Sequence, residues 1–402
     1  MTERFFPNTF PEYNGEQYLN QQNQLNSELG VNIRRWIEHH TQRLEQKLNR
    51  ADPSDGSVYT GSAGIALLYI KLASLFPDQK AQYLSKAKTS IDAALRQLDQ
   101  RTVTFLCGAP GPLAIAAVIY SSLDDQHMVT KCIEKILSMK KQALSRSTPD
   151  EHLYGRAGYL YTLMYLRREL GHHAVDDQHV TDIFEAMIKS GEDYARKTRS
   201  QSPLMYSWHN TEYMGAAHGV SGILYLLLKV TQHESFTHLR PYVHSHLIPT
   251  IEFLKSLRFP SGNYMSSTDS KSDKLVQWCH GAPGFVYLFV RAYQVTGDGS
   301  YLELAISAGD AVWQRGILTK GYGICHGTAG NGYVFLDLYH ATNDLKWLHR
   351  AIQFANFCFD YGKHNISRTP DSPYSLFEGL AGTIYYMADV LTPSHARFPA
   401  FE

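Results

Sequence analysis

Apolar residues along this chain fall into two alternating kinds of segment. One kind is amphipathic, as in Ile33-Ile37-Leu44-Leu48, Tyr83-Ala87-Ile91-Leu95-Leu98 and Leu302-Ala305-Ala308-Val312. These spacings put the apolar side chains on one face of a helix. The other kind is about three turns long and apolar nearly all round, as in Ile65 to Leu72 or Ile223 to Leu228. A helix without a polar face is a buried one. The alternation predicts outer helices that shield inner ones.

A glycine pair, G-x-x-G, opens every apolar segment. The copies are GSAGIALLYI from Gly61, GAPGPLAIAAVIY from Gly108, GRAGYLYTLMYL from Gly155 and GVSGILYLLL from Gly219. They continue with GAPGFVYLFV from Gly281, GTAGNGYVFL from Gly327 and GLAGTIYYMADVL from Gly379. Successive starts lie 47, 47, 64, 62, 46 and 52 residues apart, so the chain is a repeat array. Each repeat reads as an outer helix, a turn and an inner helix. The first helix is then the outer member of repeat one, and the last inner helix ends near Leu391. An open array needs polar capping repeats, and neither end supplies one. The expected fold is therefore all-α, an (α/α)7 toroid occupying residues 1–402 as a single domain. Parallel inner helices would gather their N-termini at one mouth, where free N–H groups and partial positive charge suit an anion. The long connections, roughly 199–217, 257–280 and 362–378, fall on that face, where repeat proteins carry their binding loops.

The residue before each G-x-x-G should face the mouth. In order these are Thr60, Cys107, Tyr154, His218, His280, His326 and Glu378. Two of the histidines follow cysteines, in WCHGAPG (Cys279-His280) and GICHGTAG (Cys325-His326). Recurrence of one dipeptide at one repeat position points to metal binding. Zinc takes Cys sulfur and His nitrogen, and catalytic sites use three protein ligands with one open position. The pattern leaves open whether His280 or His326 is the third ligand, and whether His218 is a ligand or an acid–base group. Cys132 and Cys358, in helix bodies, read as small hydrophobes, as does Cys107. Tyr154, Arg156 and Glu378 fit caps at helix starts equally well. The pairs His39-His40 and His172-His173 fall on polar outer segments and are expected in solvent.

Composition narrows the setting. With 38 basic and 38 acidic residues the formal net charge is zero, which gives no electrostatic reason to expect nucleic acid. No stretch resembles a secretory signal, a myristoylation start or a membrane span. Five irregularly spaced cysteines in 402 residues suit a reducing, cytoplasmic compartment rather than a disulfide framework.

The seven repeats, together with WCHGAPG and GYGICHGTAG, resemble the LanC-like proteins, eukaryotic relatives of the bacterial lanthionine cyclases. The resemblance runs through RFFPN, ADPSDGSVYTG, TFLCG, SPLMY, AAHG, RFPSGNY, RTPDSPYSLFEGLAGT and ARFPAFE, and it is closest to the glutathione-binding members. It implies zinc held by Cys279, Cys325 and His326, with His218 of AAHG as the acid–base residue. It implies glutathione contacts from Lys320 and from Arg368, Thr369, Pro370 and Asp371, with Arg4 as a further partner for an anionic group. The implied reaction adds the glutathione thiol to dehydroalanine or dehydrobutyrine residues of proteins or peptides. A non-catalytic glutathione- and zinc-binding scaffold or redox sensor that recruits signalling proteins is the alternative. A zinc prenyltransferase-like toroid would instead show six helix pairs and an Asp-Cys-His ligand set. The implied location is cytoplasmic, with a peripheral place at the plasma membrane as a variant.

Overall fold

A computed structural model of the chain describes residues 4–21, 24–25, 27–364 and 366–402. Among the described residues, fifteen α-helices follow one another: α1 (Ser27–Glu45), α2 (Ser62–Leu75), α3 (Lys80–Leu95), α4 (Pro110–Ser122) and α5 (Gln126–Ser138). Next come α6 (Lys140–Ala143), α7 (Arg156–Leu170), α8 (Asp177–Thr198), α9 (Val220–Thr231) and α10 (Ile248–Lys255). The last are α11 (Ala282–Thr296), α12 (Gly299–Arg315), α13 (Thr328–Thr342), α14 (Leu345–Phe359) and α15 (Leu380–Leu391). Among the described residues, β pairing is confined to isolated bridges.

The seven apolar helices α2, α4, α7, α9, α11, α13 and α15 form the inner ring. Each touches the next, and α15 touches α2, so the ring is closed. A buried ion pair between Lys71 of α2 and Asp389 of α15 crosses the seam, and the Tyr333 hydroxyl of α13 donates to Asp389 at 2.7 Å. The outer helices are phased differently from the expectation. Inner helices take the outer helix that follows them as their main outer partner, as α2 does α3, α4 does α5, α11 does α12 and α13 does α14. The first helix, α1, therefore covers α15 rather than α2. A closed ring must borrow one outer helix from the far end of the chain, and α1 is the one available. Four outer helices start on an aspartate whose carboxylate caps a first-turn N–H: Asp125, Asp176, Asp298 and Asp344. The fourth outer segment is irregular. A π-turn over Val243–Leu247 runs into α10, where Pro249 removes an amide that an unbroken helix would use.

The glycine pairs follow from how each connection folds back on its inner helix. Amides at the helix start donate to carbonyls seven residues upstream: Ser62 to Asp55, Arg156 to Pro149, Val220 to Tyr213, Thr328 to Gly321 and Leu380 to Pro373. That return presses a second carbonyl, six residues upstream, onto the helix. A Cβ at Gly111 would lie 1.7 Å from the Phe105 oxygen, and one at Gly330 would lie 1.8 Å from that of Ile324. No side chain fits there, so the second glycine is obligatory on packing grounds alone. The same bonds revise one expectation. The helix-start amides at the mouth are spent on their own connections, so an anion there has to be held by side chains.

The ring is not hollow. Residues 396–402 enter it, and Phe398 and Phe401 are fully buried. Phe398 stacks on Trp278 with centroids 5.0 Å apart, and Phe401 stacks on Tyr225 at 4.5 Å. His152 donates from Nε2 to the Ala400 carbonyl at 2.7 Å. One histidine expected in solvent is also inside: His40 is buried against Trp36, with ring centroids 4.0 Å apart, whereas His39, His172 and His173 are exposed. His40 lies on the side of α1 that also carries Ile33, Trp36, Ile37 and Leu44, so it belongs to the apolar stripe.

Candidate metal centre

Residues two and three places before each glycine pair stitch neighbouring connections together around the mouth. Val58 and Tyr59 N–H groups meet the Leu106 carbonyl at 3.0 Å, His152 N–H meets Ala217 at 3.1 Å, and Phe377 N–H meets Tyr59 at 3.1 Å. In repeats five and six these stitching residues include the cysteines. Cys279 N–H reaches the Cys325 carbonyl at 3.4 Å, and Cys325 N–H reaches that of Phe377 at 2.9 Å. Backbone pairing thus brings the two thiols side by side. With His326 they form a group whose ligand atoms all lie within 4.8 Å of one another. Both cysteines are buried, and His326 is half-buried. Hydrogen bonds from Cys325 and His326 hold the Cys279 thiol well below its ordinary range, whereas burial pushes Cys325 up. Two thiols and one imidazole, clustered and water-poor, are a donor set suited to zinc with one position left over. His280 lies outside this group and its buried Nδ1 has no partner; burial lowers its pKa.

His218 is held differently. Its Nδ1 lies 2.6 Å from Oε2 of Glu151, a carboxylate only 2% exposed. Its ring stacks on Trp208 with centroids 4.2 Å apart and planes 8° from parallel, and Tyr154 stacks on Trp208 at 5.5 Å. The imidazole is thereby fixed in orientation, with Nδ1 turned to the carboxylate.

Glu151 and Gln277 occupy one repeat position, four places before the glycine pair, and the sequence reading passed over both. In repeats one, two and seven that position is Ser57, Thr104 and Ser375, whose hydroxyls accept the N–H of the residue before the first glycine. Glu151 does the same for the Leu153 and Tyr154 amides and has a second carboxylate edge for His218. Gln277 is long enough to donate Nε2 to the Cys279 sulfur at 3.1 Å. Two long side chains in a slot that elsewhere holds only a short hydroxyl (Ser57, Thr104, Ser375) or a glycine (Gly215, Gly323) were the available signal. Tyr59, also missed, reaches the Cys325 sulfur with its hydroxyl.

A basic cavity of about 670 Å³ adjoins the cysteines, lined by Arg4, Lys274, Gln277, Lys320 and Arg368 among others. Its volume is in the range of small-ligand sites. The N-terminal segment builds one wall by lying against residues 317–319: Phe6 N–H donates to Ile317 at 2.7 Å and Thr319 N–H to Arg4 at 3.0 Å. Arg368 is tied to the same strip through its N–H and the Thr319 carbonyl, 2.8 Å apart. Arg4, Lys320 and Arg368, distant in sequence, therefore share one cavity. Thr369, Pro370 and Asp371 do not line it, and Asp371 points to solvent with its carboxylate 3.9 Å from the Arg368 guanidinium. Two mouth candidates are structural. Arg156 is buried on Asp150 at 2.6 Å and on the Ser145 carbonyl at 2.7 Å, and Glu378 accepts the Ser372 amide at 3.3 Å.

A closed ring of seven buried helices with a Cys-Cys-His cluster at its mouth defines a class, and the chain belongs to it: the lanthionine synthetase C-like family, whose model matches residues 52–402. The chain is 43% identical over 408 residues to Glutathione S-transferase LANCL1 of Danio rerio, covering 100% of this chain and 99% of that protein. Among solved structures it is similar to nisin cyclase, with a TM-score of 0.63 at 17% identity, over 89% of this chain and 93% of the other. That likeness concerns the fold.

Proposed function

We propose that the protein is a zinc-dependent glutathione transferase that adds the glutathione thiol to dehydroalanine or dehydrobutyrine residues in proteins or peptides. Cys279, Cys325 and His326 would hold the zinc. When bound, zinc supplies the charge that favours a thiolate over a thiol at neutral pH. Lys320, Arg368 and Arg4 bind the glutathione carboxylates as cations in a cavity that few anions could leave unpaired. The observation that carries the reading is Gln277: it lines that basic cavity and also donates to the Cys279 sulfur, so an anionic thiol in the cavity lies beside the metal ligands. The name of the Danio rerio relative points to the same co-substrate.

In the addition, the glutathione sulfur bonds to the Cβ of the dehydroamino acid and the π pair moves toward Cα and its carbonyl. The thiol proton is released and a proton is delivered to Cα, so the net change is S–H across C=C with no oxidant. His218, oriented by Glu151 and the Trp208 stack, is placed to deliver that proton from Nε2. We read residues 1–402 as one toroid domain. All five cysteines are free, which suits a cytoplasmic location. No helix of the described residues is long and apolar enough to cross a membrane.

The test is to incubate the zinc-loaded protein with glutathione and a dehydroalanine peptide, and to follow the thioether adduct by mass. Cys325→Ala should lose both zinc and adduct. A wild-type protein that binds zinc and glutathione yet makes no adduct overturns the proposal in favour of a non-catalytic scaffold.

A further inference from the structure

On the repeat-two to repeat-four side of the mouth lies a second basic depression. One cavity, of about 650 Å³, is lined by Arg101, Lys135, Lys141 and Tyr154 among others. A second, of about 810 Å³, is lined by Arg146, Asp150, Tyr154 and Trp208 among others. They share Ser147, Thr148, Pro149 and Tyr154, so they make one continuous groove. Its one acidic lining residue, Asp150, is already bound to Arg156 and Ser190, both at 2.6 Å. Arg101 has Asp99 at 3.0 Å, but Lys135, Lys141 and Arg146 belong to no ion pair among the described residues. The two cavities join at Tyr154, which is 42% exposed and stacks on the Trp208 that lines the second cavity and carries His218. Two unpaired lysines and Arg146, whose charge also acts on the exposed Asp193, line a groove that runs to an aromatic platform beside His218, and together describe a binding track for an anionic chain.

The geometry points to this groove as the docking site of the acceptor polypeptide, which lies along Lys135, Lys141 and Arg146 as an acidic segment. Its reactive residue passes Tyr154 and Trp208 to reach His218. The inference rests on the transferase reading and deepens it: glutathione enters over repeats five to seven, and the acceptor enters from the opposite side of His218. Specificity then comes from the residues flanking the dehydroamino acid rather than from that residue.

The experiment compares kcat/KM for three acceptors: a dehydroalanine peptide flanked by glutamates, the same peptide flanked by lysines, and N-acetyldehydroalanine amide. The glutamate peptide should exceed the lysine peptide by on the order of 10-fold or more, and the ratio should shrink as salt screens the groove. Lys135→Glu/Lys141→Glu/Arg146→Glu should bring the ratio to about one or invert it. The same charge change at the exposed Arg35, Arg50 and Lys80, none of which lines the groove, should leave the ratio in place. If wild type modifies the small acceptor but shows no flank preference, or the triple variant keeps it, the groove assignment is overturned while the transferase reading stands. If even the small acceptor gives no adduct, the transferase reading has failed. The groove is then tested by fluorescence anisotropy with the unreactive serine peptides: a glutamate preference lost in the triple variant supports it, and no preference overturns it. Sedimentation with phosphatidylserine vesicles that the triple variant abolishes, with the flank ratio unmoved, would assign the cations to a membrane and overturn the proposal.

Discussion

Replacing Glu151 with Gln removes one negative charge and keeps the shape, but only one of the two oxygens that separately accept the Leu153 and Tyr154 amides. It also loses the contact of the carboxylate with His218 Nδ1 at 2.6 Å, which is the loss that bears on the rate. A hydrogen bond to a charged group contributes about 1.5–3 kcal/mol, and at 2% exposure of Glu151 solvent screens little of it. If that energy is expressed when His218 delivers its proton, kcat/KM for adduct formation should fall roughly 10- to 150-fold. Zinc content and the KM for glutathione should stay near wild type, because neither the cysteine cluster nor the basic cavity includes Glu151. The assay is the mass-detected thioether, run on wild type, Glu151→Gln, His218→Ala and the double variant. Residues that act as a unit are non-additive, so the double variant should be no slower than His218→Ala alone. A Glu151→Gln enzyme within about twofold of wild type would refute the dyad, as would an undiminished penalty in the His218→Ala background.

Lys320→Ala should raise the KM for glutathione about tenfold or more while sparing kcat, since it removes a charge-assisted contact made in ground and transition states alike; an unchanged KM would move glutathione out of that cavity. Phe401→Ala empties a fully buried site beneath Trp278 and Tyr225 and should cost about 3–5 kcal/mol in urea unfolding; a loss under 1 kcal/mol would mean that the tail is not part of the core. His152 is pushed down to about 4 by burial. Below about pH 6.5 the unfolded chain therefore takes up a proton that the native protein refuses until about pH 4, and stability falls as pH drops through that window. One proton corresponds to about 1.4 kcal/mol per pH unit, and His152→Gln should flatten the slope by up to that amount; urea midpoints at pH 6.5, 5.5 and 4.5 that run parallel in the two proteins would refute it.

The ring was legible because its cause is periodic. Seven glycine pairs and seven featureless apolar helices recur in sequence, and each glycine answers a carbonyl that the fold repeats. The approach of Cys279 to Cys325 was legible for the same reason, since both occupy one repeat position. What repeats could not give was the pairing between repeats and ends. That α1 would cover α15 depends on closure, and no local pattern in Ser27–Glu45 names its partner. The Arg4–Lys320–Arg368 cavity relied on resemblance, because its wall is an extended N-terminal strip with no periodic signature. Glu151 was hidden for the opposite reason: it looks like one more loop acid until the seven connections are aligned and its slot is seen to hold a short hydroxyl or a glycine in every other repeat but that of Gln277.

The packing of α1 on α15 also sets an order of events during synthesis. Until α15 leaves the ribosome, α1 has no inner helix to cover, and α2 lacks the Asp389 carboxylate that Lys71 pairs with. A nascent chain is therefore an open arc with an apolar edge at each end, and its edges can be buried only through contacts between the most distant parts of the sequence. Such closure is slow, and the unclosed arc is prone to sticking to others of its kind. A truncated or stalled chain should accordingly be a client of the folding machinery rather than a smaller version of the protein.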